Sequence, residues 1–196
     1  MVAPTSLLIS AIRRFVPVGA DDERLIERLF EPHYLEPGGF FLRAGEVCRY
    51  AGFVTEGLLR YYVLDDGEEH TYDFSPEGTF VSNYESFLMQ TPSGRYVQAL
   101  EPTMLLRISH ENLQYLYATM AHGQAFGRLV AEQLFVVTLQ KLTAFYRDTA
   151  DERYAGFERL FPGLSERVPQ YVVASYVGIK PQSLSRIRAG RAGKRY

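Results

Sequence analysis

Seven side chains between residues 180 and 191 have the donors and charges that read and hold a nucleic-acid duplex: Lys180, Gln182, Ser183, Ser185, Arg186, Arg188 and Arg191. An arginine fork pairs with guanine O6 and N7, and a glutamine amide with adenine N6 and N7. Each good bidentate contact is worth about 1–3 kcal/mol of discrimination. Arg186 and Gln182 are the candidates for those roles. Lys180, Arg188, Arg191, Lys194 and Arg195 suit phosphates, which supply affinity without sequence choice. Residues 167–196 hold seven basic residues and no acidic one, whereas residues 1–166 hold 14 Lys plus Arg against 23 Asp plus Glu. A cationic tail on an acidic body points to a polyanion partner.

The elements that must position these groups are written into Gln170 to Ala189. Two short helices crossing steeply need a small residue at their contact, a turn residue that tolerates positive φ, and apolar residues facing the support beneath. Ala174 is the small contact, Gly178 opens the turn and Ile179 plugs it. Val173, Val177, Leu184 and Ile187 form the inward stripe. Pro169 and Pro181 fall at first turns, where a missing amide hydrogen costs nothing. The second helix is then expected from about Lys180, with Gln182, Ser185, Arg186 and Ala189 outward and Lys180 and Ser183 near its leading end. The pattern is a helix-turn-helix. The duller reading of the same segment is a helical hairpin with a solvated basic face.

The remaining chain has ample core, with 46% hydrophobic and 14% aromatic residues among 196. No run approaches the roughly 20 apolar residues that span a bilayer, and the first charges follow the first apolar run rather than precede it. A soluble, cytoplasmic protein with no membrane partner is expected. Cys48 stands alone, so it forms no internal disulfide and is read as a packed residue. Residues 6–15 and 21–30 read as short helices. After Pro37 the period becomes two, and Gly45, Gly57, Gly67 and Gly78 punctuate strand-like runs at 50–55, 58–64 and 68–74, continued by 96–99 and 103–108. Such spacing means a sandwich or barrel. Asp65-Asp66-Gly67 is a hairpin turn between two of the runs. Helix resumes at Ser109, breaks at 121–123, and continues from about Gln124 to Arg147 with apolar residues on more than one stripe. A helix of that kind is buried on two sides, one of them against its copy in a second subunit. Thr149 and Glu152 form a capping box for the next helix.

A glycine-punctuated β-roll, a long dimer helix and a carboxy-terminal helix-turn-helix, in that order, resemble the Crp/Fnr family of bacterial transcription regulators. The resemblance is carried by Gly45-Glu46, Tyr61-Tyr62 through Gly67, Pro76-Glu77-Gly78-Thr79-Phe80-Val81, Ile108-Ser109, Asp151-Glu152-Arg153-Tyr154, and the Val177-Gly178-Ile179 turn leading to Ser185-Arg186. It implies a homodimer that places paired recognition helices in successive major grooves about 34 Å apart, with double-stranded DNA and RNA polymerase as partners. It also implies a β-roll that senses a small effector. Cyclic-nucleotide binders of the family carry Gly-Glu and then Arg-Ser or Arg-Thr at the phosphate site, where this chain reads Ser82-Asn83 and Ser93-Gly94, with Arg95 two residues late. Cyclic AMP is therefore disfavoured, since a buried cyclic phosphate needs a matched cation. Asn83, Tyr84, Glu85, Ser86, Arg95 and Thr138 are the candidate effector residues. Family members follow the recognition helix with a β-hairpin wing, whereas 190–196 is too short for one and reads as a flexible basic arm.

The expected fold class is α+β. A β-roll or jelly roll of the cyclic-nucleotide-binding kind, with its N-terminal helices, occupies residues 1–120, a dimerisation helix 121–148, and a helix-turn-helix bundle 149–196. No catalytic residue, metal site or resident cofactor is expected, an unknown small effector being the one ligand left open. A jelly-roll metalloenzyme would need clustered ligands, and His33, His70, His110 and His122 show no ligand spacing in the strand region. The other rival is a ligand-sensing module that binds a protein partner and no DNA.

Overall fold

The computed structural model describes residues 4–192, and Lys194 and Arg195 of the expected phosphate set lie outside them. Helices α1 (Pro4–Arg13) and α2 (Ala20–Leu29) lead into eight strands: β1 (Glu31–Leu35), β2 (Phe40–Leu42), β3 (Tyr50–Glu56), β4 (Leu58–Asp65), β5 (Glu68–Pro76), β6 (Phe80–Val81), β7 (Tyr96–Ala99) and β8 (Thr103–Ser109). A short helix, α3 (Tyr84–Met89), interrupts them between β6 and β7. The rest is helical: α4 (His110–Thr119), α5 (Gly123–Arg147), α6 (Ala150–Leu160), α7 (Leu164–Arg167), α8 (Gln170–Val177) and α9 (Pro181–Ala192). The described chain falls into two compact units, one of residues 4–61 and 74–136, the other of residues 62–73 and 137–192. No helix among the described residues is long and apolar enough to cross a membrane.

The strands form two four-stranded sheets, ordered β1-β8-β3-β6 and β2-β7-β4-β5. Buried residues of both sheets meet in one core. Phe53, Val54, Leu105 and Ile108 come from the first sheet, Leu42, Leu59, Val97 and Ala99 from the second, and Leu8, Ile12, Ile26, Leu116 and Phe126 from the helices around them. β8 lies between β1 and β3, antiparallel to both. β1 contains Pro32 and takes an edge, where a residue without an N–H is tolerated. Asp22, buried near the start of α2, accepts from Gly19 N–H (3.4 Å) and Ala121 N–H (3.1 Å), tying α2 to the turn before α5.

Gly57 is the tightest point between the sheets. Its φ is +93°, and a Cβ there would lie 2.4 Å from the Pro102 carbonyl oxygen and 2.6 Å from Thr103 Oγ1. That hydroxyl is committed, accepting from Leu58 N–H (3.2 Å) and donating to the Glu101 carbonyl (2.8 Å). Gly57→Ala therefore combines a left-handed backbone with overpacking and is expected to lower the unfolding free energy by about 2–4 kcal/mol. Urea denaturation checks it, and a loss below 1 kcal/mol would mean that the strand crossing yields.

The second unit contains the far half of the β4–β5 hairpin, the later turns of α5, and α6 to α9. Asp66 and Gly67 both have positive φ (+47° and +81°), the signature of a type I′ turn. Thr149 caps α6, accepting from Glu152 N–H, while the Glu152 carboxylate accepts from Thr149 N–H at 2.7 Å. The bond from the Thr149 backbone, with help from its hydroxyl, holds the Glu152 carboxyl below its ordinary pKa. The cap's contribution is thus complete above the ordinary carboxylate range and fades as pH falls through the depressed value. Phe157 and Tyr154 are buried, and Phe161 and Tyr176 pack on Phe157 with ring centroids 5.7 and 5.3 Å away.

Candidate functional site

α8 and α9 are built as the residue types require. Val172, Val173, Ala174 and Val177 bury one side of α8, and Leu184 anchors α9 with no exposed surface. Gly178 adopts φ 73°, ψ 40°, and Ile179 N–H closes on the Ala174 carbonyl at 3.0 Å. Arg153 of α6 braces the turn from below. Its guanidinium donates to the Val177 carbonyl at the end of α8 (2.7 Å) and to the Asp148 carbonyl after α5 (2.7 Å). These contacts leave one polar side of α9 turned outward.

On that side Lys180, Gln182, Ser183, Ser185, Arg186 and Arg188 are all exposed. Ser185 is partly engaged: it donates to the Pro181 carbonyl (3.2 Å) and accepts from the Gln170 amide (2.5 Å), leaving one lone pair for any other donor. Arg191 is turned the other way. It donates to the Asp151 carboxylate and carbonyl (3.1 and 3.2 Å), lies 3.9 Å from the Glu158 carboxylate, and sits over the Tyr154 ring. Arg191 thus pins the end of α9 to α6, through a surface pair worth about 0–1 kcal/mol. Residues 190–192 continue α9 instead of starting a free arm, because Gly190 does not end the helix that Arg191 anchors. Gln170, at the start of α8, was not among the sequence candidates. Its only signal was a long amide two residues before the apolar run.

The candidate effector residues cluster around α3, with one exception. Asn83 is buried and caps α3, accepting from Ser86 N–H (3.1 Å) and donating to Ser93 Oγ (2.9 Å). Ser93 Oγ also accepts from Arg95 N–H at 2.9 Å, and Ser86 Oγ donates to the Thr91 carbonyl (2.5 Å) and accepts from Cys48 N–H (2.9 Å). The Arg95 guanidinium meets the Glu85 carboxylate at 3.1 Å. Tyr84 is half-buried, which raises its phenol pKa, and the nearby Tyr117 is pushed up to about 12, mainly by burial. Thr138 is exposed on the part of α5 that belongs to the second unit. Burial raises the Cys48 thiol pKa, outweighing hydrogen bonds that favour its thiolate, so it is a poor nucleophile at neutral pH. Among the described residues no three His, Cys, Asp or Glu side chains converge as metal ligands.

Ser93 is the residue that sequence reasoning undervalued. Its hydroxyl links Asn83 to the backbone of Arg95.

Known proteins share this architecture. Residues 32–120, somewhat under half of the chain, match the cyclic nucleotide-binding domain family. Among solved structures, the c-di-GMP responsive global regulator CLP of Xanthomonas campestris superposes with a TM-score of 0.66 at 16% identity, over 90% of this chain and 93% of that one. FixK2 of Bradyrhizobium japonicum gives 0.65 at 17% identity over 84% and 85% of the two chains. The catabolite activator protein of Thermus thermophilus gives 0.56 at 20% identity over 94% and 87%. At such identities the likeness is one of fold. A search of curated protein sequences found no match to the chain.

Proposed function

We propose that this chain, a Crp/Fnr-like regulator fold with a cyclic nucleotide-binding domain, is a homodimeric DNA-binding transcription regulator. One observation carries the reading: α9 is anchored through fully buried Leu184 while Gln182 and Arg186 stand exposed on its outward side. A helix held by one stripe and offering a fork and an amide on the other is what major-groove readout needs. The acid-free stretch 167–196 supports the same partner. The dimer is supported by the apolar residues that α5 leaves exposed, Phe135, Leu139, Leu142 and Phe145 among them. By the same likeness RNA polymerase is a further partner.

Duplex binding by the full chain, read by fluorescence anisotropy at about 50 and about 200 mM salt, tests the proposal. Affinity is expected to fall steeply with salt as the entropy gained by releasing counterions shrinks. No binding at the lower salt would remove DNA from the account and favour a ligand-sensing module with a protein partner.

For the sensor we infer an effector other than cyclic AMP. Arg95, the nearest cation to the phosphate position, is paired with Glu85, and Asn83 and Ser93 satisfy each other. The fold itself leaves ligand chemistry open, since a c-di-GMP responsive regulator and a catabolite activator both share it. Cyclic AMP is expected to leave the unfolding temperature unchanged, whereas a ligand at a hundred times its Kd adds about 2.7 kcal/mol. A rise that saturates with cyclic AMP would overturn this.

A further inference from the structure

β5 is an outer strand of its sheet, and the backbone groups along such an edge need partners. In the second unit Ser175 of α8 supplies two. Its hydroxyl donates to the Glu69 carbonyl at 2.8 Å and accepts from Thr71 N–H at 2.9 Å. One side-chain oxygen thereby does for the strand what a neighbouring strand's peptide would do. A serine inside a helix ordinarily turns its hydroxyl back on the carbonyl four residues earlier; here the hydroxyl is committed to the hairpin. Lys141 of α5 fixes the same strand from another direction, 2.6 Å from the Asp73 carboxylate. The hairpin so held carries Asp65, Asp66, Glu68 and Glu69 around its turn, four carboxylates within five residues.

Resting on the DNA-binding reading above, we propose that Ser175 is a positioning residue for duplex binding: its hydroxyl latches the acidic β4–β5 hairpin to the first helix of the helix-turn-helix, and the latched hairpin opposes the approach of a phosphate backbone. The physical basis is a sum of fields. Like charges held on the same compact unit as Lys180, Arg186 and Arg188 subtract from the attraction those cations exert on DNA. Releasing the latch lets the hairpin carboxylates leave, and the apparent Kd falls with the share of molecules that were latched.

The test compares the full chain with Ser175→Ala and Ser175→Thr, the threonine keeping the hydroxyl. Two readouts are followed: hydrogen exchange of the peptide containing Thr71, and anisotropy with the best duplex from a random-sequence selection. Ser175→Ala is expected to exchange about tenfold faster at Thr71 and to bind duplex about five- to tenfold more tightly, with Ser175→Thr close to the unaltered chain on both counts. The double change Glu68→Gln with Glu69→Gln should tighten binding in the unaltered chain and add little once Ser175 is alanine, because a released hairpin no longer holds its charge against the helix-turn-helix. Unchanged or weaker binding by Ser175→Ala, in a protein that does bind duplex, overturns the latch alone. If neither protein binds duplex at about 50 mM salt, the DNA-binding reading falls and takes this inference with it.

Discussion

In the proposed homodimer, Leu142→Asp is expected to dissociate the two copies and to weaken duplex binding by a factor of about a hundred or more. The argument starts from what α5 does with its apolar residues. Along its 25 residues only Gly123 and Phe126 are buried, while Phe135 is 65% exposed, Leu142 51%, Phe145 63% and Tyr146 80%. Phe135, Leu139, Leu142 and Tyr146 follow one another at intervals of four, three and four, the spacing that keeps one seam of a helix facing a parallel partner. An isolated chain would leave this stripe in water, at about 25 cal/mol for each Å² not buried. A carboxylate at its middle must be desolvated in the pair with no partner to receive it. The loss in DNA affinity then follows from geometry, since the second recognition helix no longer binds as an intramolecular event. Sedimentation equilibrium gives the mass, and anisotropy with a palindromic duplex gives the affinity. A monomer mass for the unaltered chain at micromolar concentration would end the argument at its first step.

Where the sequence could be read, the readable signal was local. The Asp66-Gly67 turn, the Thr149 cap and the glycine at 178 each need only their immediate neighbours to be stated, and each stands where its residue types put it. What escaped was fixed by distant partners. β1, with Pro32 in it, gets no element from the sequence, and it is β8 that makes it a strand by pairing from Arg107 to Thr103. β6 has two residues and α3 six, too few to show a period. The same divide runs through the candidate sites. Periodicity assigned the outward face of α9, because it follows from one helix and one buried leucine. Arg191 looked equally suited to a phosphate, yet Asp151 and Glu158 of α6 claim it, and no spacing in the sequence announces that contact across forty residues. Asn83 and Ser93 belong to the same class. Each is a common polar residue until the fold places the two within 2.9 Å.

The divide also decides which substitution in α9 should alter what the protein reads rather than how tightly it holds. Arg191 is committed to α6 and the Ser185 hydroxyl proton to Pro181, so on the DNA-binding proposal the bidentate contacts fall to Gln182 and Arg186. Arg186→Ala is expected to cost about 1–3 kcal/mol against the preferred duplex, five- to 150-fold in Kd, and much less against unrelated sequence. Selection from random duplexes with the variant should return sites in which one guanine position has become indifferent. Arg188→Ala is the contrasting case. As a phosphate ligand it should weaken all duplexes alike and reduce the slope of log K against log salt by about one. The two variants separate readout from attraction within a single helix, two residues apart and with the same charge removed. If Arg186→Ala instead lowers every affinity in parallel and leaves the selected sequence intact, Arg186 is a phosphate contact, and recognition must be sought in Gln182 or in the shape of the DNA.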